Sequence, residues 1–267
     1  MKQTVLVTGA SSGIGYSIAK NLIDSNYEVF GSSRKLPKGP YNWTHLSCDL
    51  KDKSSIHQLC EILNKQISKL DILINCAGYG IGNAVEYTSY EDALELYQVN
   101  VLGTFEITKK LLPLLRKSQK PKIINIGSVA GEITIPFQCF YSMSKSDLTV
   151  LTEALRIELK PFNIDVSIIL PGDIKTNFTA NRIVCLDFDE QYKNRIRLSL
   201  EKMAKDEQNG MDVESVVNVV KKQIKRTKMK PKVAVGYQYK AFLFLNRYLP
   251  TKIKEFIIYR LYAHGKN

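Results

Sequence analysis

TVLVTGASSGIG, residues Thr4 to Gly15, is the stretch on which the reading of the whole chain turns. Its first five residues are an apolar, β-branched run that ends at Gly9, the composition of a buried strand. After Gly13, the residues Ile14, Ile18, Ala19 and Leu22 have the spacing of one helix face. The stretch therefore predicts strand, tight turn, helix. Glycines in such a turn let the backbone approach an anion, and the helix N-terminus that follows offers N–H groups and a favourable dipole to a pyrophosphate. The spacing is GxxxGxG rather than GxGxxG, so the turn alone does not separate a dinucleotide site from an ordinary strand-to-helix connection.

Outward from this turn the alternation repeats. Strands near 28–32 and 44–48, a helix near 53–67 and a strand at Ile72–Asn75 come first. A helix spanning about 94–116, a strand at Lys122–Ile126, a helix near 141–160 and a strand at Ile164–Leu170 follow. Strands of buried type alternating with helices predict an α/β fold of Rossmann type, a doubly wound parallel sheet with helices on both faces. Linkers are short, with Pro37–Pro40 and Pro171–Gly172 as the clearest punctuation, and no internal boundary divides residues 1–267. The rhythm lapses from about 174 to 212, a region rich in Asn, Asp, Lys and isolated aromatics. An insertion after a late strand lies over the carboxyl edge of such a sheet, which makes 174–212 a candidate substrate lid.

An apolar share of 44% with 24% charged residues excludes disorder and collagen-like composition. No run reaches the roughly 18 consecutive apolar residues of a membrane-spanning helix. The opening MKQTVLVTGA runs directly into the first strand, without the apolar run and cleavage site of a signal peptide, and the expectation is a cytoplasmic protein. Cys48, Cys60, Cys76, Cys139 and Cys185 contain no CxxC pair and are odd in number, which fits neither a zinc site nor a disulfide framework. His45, His57 and His264 are scattered, and no metal is expected. The net charge of +12 is uneven: residues 1–220 hold 25 basic and 25 acidic side chains, whereas 221–267 hold 13 basic and one acidic.

Further motifs follow the glycine turn in order. Asp49-Leu50 follows the third strand, and Asn75-Cys76-Ala77-Gly78 begins at the last residue of the fourth. Asn100-Val101-Leu102-Gly103, Ser128, Tyr141-Ser142-Met143-Ser144-Lys145 and Pro171-Gly172 with Thr176 complete the set. In this order and spacing, over roughly residues 4–178, the chain resembles the short-chain dehydrogenase/reductase family, with Cys76 departing from that family's NNAG pattern. The resemblance implies hydride transfer between a nicotinamide dinucleotide and a carbonyl or alcohol. It places the cofactor on Gly9, Ser11, Ser12, Gly13, Ile14, Gly15, Asp49, Leu50, Asn75, Ala77 and Gly78, and on Pro171, Gly172, Ile174 and Thr176 beyond. A homodimer or homotetramer packed through the helices near 94–116 and 141–160 is also implied, as closed symmetry commonly favours.

Tyr141 and Lys145 are four residues apart, on one helix face. A phenol of pKa near 10 is a poor base at neutral pH, and an adjacent ammonium favours its ionised form. Tyr141 is therefore the candidate general acid/base, with Lys145 also donating to the nicotinamide ribose as the resemblance implies. Ser128 can hydrogen-bond the substrate oxygen and favour the developing oxyanion, and Asn100 would hold the water of a proton relay in the family manner. Taken singly, YxxxK is common on helix surfaces, a Ser after a strand is commonly a cap, and an Asn in a helix commonly bonds locally. At the end of the second strand, Ser33 stands where an NAD-type acid would accept from the ribose, and Arg34 offers a planar fork to a 2′-phosphate. The cofactor expected is NADP rather than NAD.

Residues 237–263, YQYKAFLFLNRYLPTKIKEFIIYRLYA, mix large apolar side chains with Lys and Arg and are broken by Pro250. Such a basic amphipathic segment can pack on its own core and roof the pocket, or lie in a membrane interface. Either placement suits a lipophilic ketone or secondary alcohol, such as a steroid, a retinoid or an acyl-glycerone-like lipid. No reading motif for nucleic acid accompanies the charge. The competing function is a redox sensor that keeps NADP without turnover, which the Ser128, Tyr141 and Lys145 set disfavours, because a sensor needs only the glycine turn.

Overall fold

The computed structural model describes residues 2–176, 178–184 and 190–264, with the side chains of 190, 191 and 193 excepted. Strand β1 (Thr4–Thr8) is buried at every position. Val5 and Val7 point into one core cluster and Leu6 into another, as the two-residue strand period requires. Helix α1 (Gly13–Asp24), β2 (Glu28–Ser33), β3 (Thr44–Ser47), α2 (Lys53–Gln66) and β4 (Ile72–Asn75) follow. Next come α3 (Tyr90–Tyr97), α4 (Thr104–Leu115), β5 (Lys122–Ile126), α5 (Cys139–Glu158) and β6 (Asp165–Leu170). Helices α6 (Glu190–Gln208) and α7 (Glu214–Lys225), β7 (Lys232–Ala234), α8 (Tyr237–Tyr248) and α9 (Thr251–Ile258) close the order.

The seven strands are parallel in the order β3-β2-β1-β4-β5-β6-β7. The order reverses between β1 and β4, which opens a crevice at their carboxyl ends. One face of the sheet packs on α1 and α7 through Ile18, Leu22, Val216 and Val220, and the other on α2 and α4 through Ile56, Leu59, Ile107 and Leu111. Each such side chain contributes roughly 1.5–3 kcal/mol on burial. A sheet covered on both faces explains why the strands read as continuous apolar runs.

Three differences from the sequence reading bear on function. The long helix expected at 94–116 starts at Tyr90 and is interrupted by a π-helical stretch, Gln98–Gly103. Within the expected lapse at 174–212, α6 supplies nineteen helical residues, while 177 and 185–189, including Cys185, lie outside the described residues. The charge-rich region from 221 onward is not all tail. Ile224 of α7, Met229 and Val235 are buried, and β7 pairs with β6. Among the described residues, α8, α9 and the π-helical stretch Tyr259–Ala263 follow the last strand. Among the described residues no helix is long and apolar enough to cross a membrane.

Candidate active site

The glycine turn sits at the switch point, and its geometry explains its residues. Gly9 has φ +72° and a Cβ there would lie 2.8 Å from Ala77 Cα, while Gly13 has φ +56°, a region that favours glycine. A Cβ on Gly15 would collide with the Gly9 carbonyl. Ser12 precedes α1 in extended conformation without a side-chain cap, and no acidic residue occupies the first helical turn. That end of α1 is therefore shaped and charged for an anion. From it a cavity of about 1310 Å³ extends in both directions, more than the roughly 300–1,000 Å³ of an ordinary small-ligand pocket.

Towards β2 and β3 the cavity is lined by Ser33, Arg34, Lys35, Lys38, Asp49 and Leu50. The Ser33 hydroxyl is already engaged, donating to the Lys35 carbonyl at 2.8 Å and lying 3.0 Å from His45 Nε2. Arg34 is exposed, with its side chain free of the ion pairs found among the described residues. A dinucleotide fits this arm: glycine backbone for a pyrophosphate, no carboxylate at position 33, and cations at 34, 35 and 38.

Towards β5 and β6 the cavity meets Ser128, Tyr141 and Lys145. Ser128 lies two residues past β5 and caps the short turn Val129–Gly131, its hydroxyl accepting from Ala130 N at 3.1 Å, so the hydroxyl proton remains to be donated elsewhere. Tyr141 and Lys145 lie on one face of α5, both nearly fully buried, with Lys145 Nζ 5.7 Å from the Tyr141 ring centre and donating to the Ile126 carbonyl at 3.1 Å. Burial governs both groups. It pushes the Tyr141 phenol up to about 12, against a downward pull from Ser128, and it brings Lys145 down from 10.5 to about 8. Desolvation outweighs the downward pulls on the phenol, which come from Ser128 and Arg182; the lysine expected to lower it, Lys145, is not among them.

Nearly every candidate residue named from sequence lines this cavity; Asn75 and Asn100 do not. Asn75 is buried behind the wall, donating to Thr108 Oγ1 at 3.0 Å and Asn125 Oδ1 at 2.8 Å. Asn100 lies in the π-helical stretch, a distortion that is frequent at functional sites. Its Oδ1 accepts from Tyr79 N at 3.1 Å, and its Nδ2 donates to Tyr79 O at 2.9 Å and to Ser144 Oγ at 3.1 Å. A Cβ on Gly78 would lie 2.9 Å from Asn100 Oδ1 and 3.4 Å from Lys145 Nζ. Asn100 thus clamps residues 78–79 against α5, directly behind the lysine.

Sequence reasoning missed one part of the site. Arg182, almost fully buried, pairs with Glu207 of α6, and Thr179 donates to the same carboxylate. This pair sits beside Phe178, whose ring centre is 5.3 Å from that of Tyr141. The far wall, one of the two placements expected for residues 237–263, is built by Tyr239, Phe242, Ile258, Leu261 and Tyr262, which line the cavity. Tyr239 lies over Gly172, where any Cβ would strike its ring, and its hydroxyl donates to Asp173 Oδ2 at 2.6 Å while accepting from Asp173 N at 2.9 Å. The segment expected as either roof or membrane helix therefore does cover the cavity. The thiols of Cys48, Cys60 and Cys76 are pushed up by burial to about 11, 12 and 12, as packing residues are.

The comparisons with known proteins agree with this geometry. The short chain dehydrogenase family profile matches residues 3–183. The chain belongs to the short-chain dehydrogenase/reductase family, and with it to the NAD(P)(H)-dependent oxidoreductases of carbonyls and alcohols. It is 34% identical over 269 residues to a 3-ketodihydrosphingosine reductase of Bacteroides thetaiotaomicron, covering 98% of both chains. It is 35% identical over 184 residues to an NADPH-dependent 3-dehydrocapnine reductase of Ornithobacterium rhinotracheale, covering 64% of this chain and 65% of that one. A short-chain dehydrogenase from Streptomyces avermitilis superposes with a TM-score of 0.82 at 24% identity, covering 100% of this chain and 98% of the other. At that identity the likeness concerns the fold.

Proposed function

We propose that the chain is an NADPH-dependent reductase of long-chain, lipophilic ketones, with Tyr141 as the proton donor. The observation that carries this reading is the position of Tyr141 between two unlike arms of one cavity. One arm offers glycine backbone and Arg34. The other is walled by Ile133, Ile135, Phe178, Phe242, Ile258 and Leu261. The Bacteroides relative, whose name gives a keto lipid as its substrate, matches along the whole chain, including the far wall that lies beyond the family profile. That extended match favours a long-chain ketone over a steroid or a retinoid.

When bound, the dinucleotide supplies the hydride. The chain's own residues do the rest. The Ser128 hydroxyl donates to the carbonyl oxygen and holds it towards Tyr141, and the phenol gives up its proton as that oxygen gains charge. A phenol held at about 12 is protonated at neutral pH, the state needed to reduce a ketone. Lys145 borders both Tyr141 and the cofactor arm, and its remaining donors suit a ribose hydroxyl. Asn100 positions Gly78 and Tyr79 behind it. Residues 178–184 with α6 act as the lid over the reacting centre, held shut by the Arg182–Glu207 pair. A homodimer or homotetramer fits the faces of α4 and α5, where Phe105, Val150 and Ile157 are exposed.

The test is turnover of 3-ketodihydrosphingosine by the purified chain, with NADPH and NADH compared at the nicotinamide absorbance. Reduction with NADPH preferred is expected. No turnover of this or of other long-chain ketones with either cofactor would refute the reading.

A further inference from the structure

The C-terminal helices present two unlike faces. Inward, Tyr239, Leu243 and Ile258 pack against Val129, Ile133, Leu148, Ile168 and Leu170. Outward, Phe244, Tyr248, Ile253 and Phe256 are exposed by 64%, 67%, 47% and 59%. Lys240, Arg247, Lys252, Lys254 and Arg260 stand among them, with Glu255 as the only acid of 237–263. Phe242 and Leu261 belong to both faces: they line the cavity and are also exposed by 37% and 46%. Apolar side chains of one segment thus stand both at the cavity and on the outer surface.

We propose that this face docks on an anionic lipid bilayer, with α8 and α9 lying in its surface and the cavity mouth turned to the lipid. Helix α8 has 12 residues, a length of about 18 Å, too short to cross a hydrocarbon core of roughly 30 Å and suited to lying in the interface plane. Large apolar side chains interleaved with cations are what such an interface rewards, the rings among acyl chains and the charges on head groups. A second copy of the chain is a poor occupant, because a two-fold contact pairs the same patch on both subunits and would bring two strongly positive surfaces together with one acid on each. An acidic protein or nucleic acid would meet the charge and leave the rings without an apolar phase. The inference rests on the surface rather than on the substrate reading, although a bilayer would hand a lipophilic ketone to the mouth directly.

The experiment is flotation of the full chain with vesicles of phosphatidylcholine alone and of phosphatidylcholine with phosphatidylglycerol. Flotation with the anionic vesicles at low salt, release at 1 M salt where the Debye length is about 3 Å, and none with neutral vesicles are expected. Each cation near such a surface is worth about a fivefold change in partitioning, so Arg247→Gln with Lys252→Gln should weaken binding about thirtyfold. Phe244→Ser with Phe256→Ser should weaken it as well, and an unchanged melting temperature serves as the control for folding in both variants. Absence of flotation with anionic vesicles, equal flotation with neutral ones, or undiminished binding by both variants overturns the proposal. So does loss of a solution oligomer in the serine variant, which would give the face to a second copy. A chain that floats but reduces no lipid ketone would instead refute the proposed activity alone.

Discussion

Tyr141 and Lys145 each carry a group whose charged form the interior resists, and the two together give the fold a measurable pH signature. Lys145 has a pKa of about 8 in the folded chain against an ordinary 10.5. Between those values the unfolded chain holds more protons, so stability rises with pH. Tyr141, raised from 10.0 to about 12, acts oppositely above pH 10, where the unfolded chain ionises first. Urea unfolding should therefore show a lysine contribution growing by about 2 kcal/mol from pH 8 to 10 and missing in Lys145→Met. Equal slopes for parent and variant would refute the depressed lysine. Tyr141→Phe should keep the fold and lose about 10²–10⁴-fold in turnover, which single-turnover rates with a reducible ketone would check. Arg34→Ala should weaken NADPH by about 10–100-fold and leave NADH unchanged, since a charge-assisted bond to phosphate is all that is removed; titration of both cofactors decides it. At this scale the sequence is most legible where backbone geometry demands a residue type, as at Gly9 and Gly13 with their positive φ. It is least legible at Asn75 and Asn100, whose motifs point to the site but whose side chains work behind the wall.

At the scale of elements, the strands were readable because burial on both faces leaves them almost no polar positions. Helix α6 was not, because its buried row is thin: Ile196, Ser199 and Met203 at steps of three and four, in a segment otherwise dense with charge. Strand β7 is only three residues long, too short for a period to show. What α6 contributes is Glu207, which meets Arg182 across the cavity wall. Breaking a buried pair by removing one partner strands the other charge, at a cost of about 3–5 kcal/mol, whereas replacing both by apolar groups is often close to neutral. Arg182→Met should accordingly lower thermal stability sharply, and Arg182→Met combined with Glu207→Leu should recover most of the loss. Calorimetry on the two variants tests this, and equal stability of single and double variants would show that the pair is not coupled.

For the whole molecule, two groups among the exposed apolar side chains bear on association. Phe105 on α4 with Val150 and Ile157 on α5 form one, and the outer face of α8 and α9 forms the other. Self-association is expected at the first, so sedimentation should return a dimer or a tetramer that Val150→Lys with Ile157→Lys reduces to monomer. A monomeric parent chain at micromolar concentration would count against it. The sequence pattern anticipated the sheet and its switch point, but whether 237–263 covered the cavity depended on contacts such as Tyr239 over Gly172, which no spacing announces. That contact also shows how the labour is divided along the chain. Nearly all of the dinucleotide arm comes from residues 9–176, and much of the far wall comes from residues 178–262, so the two ends of the cavity meet at a seam beside Gly172. A lineage or an engineer could rewrite the later third to admit a different molecule while leaving the earlier machinery untouched, provided that whatever replaced Tyr239 still lay flat on that glycine.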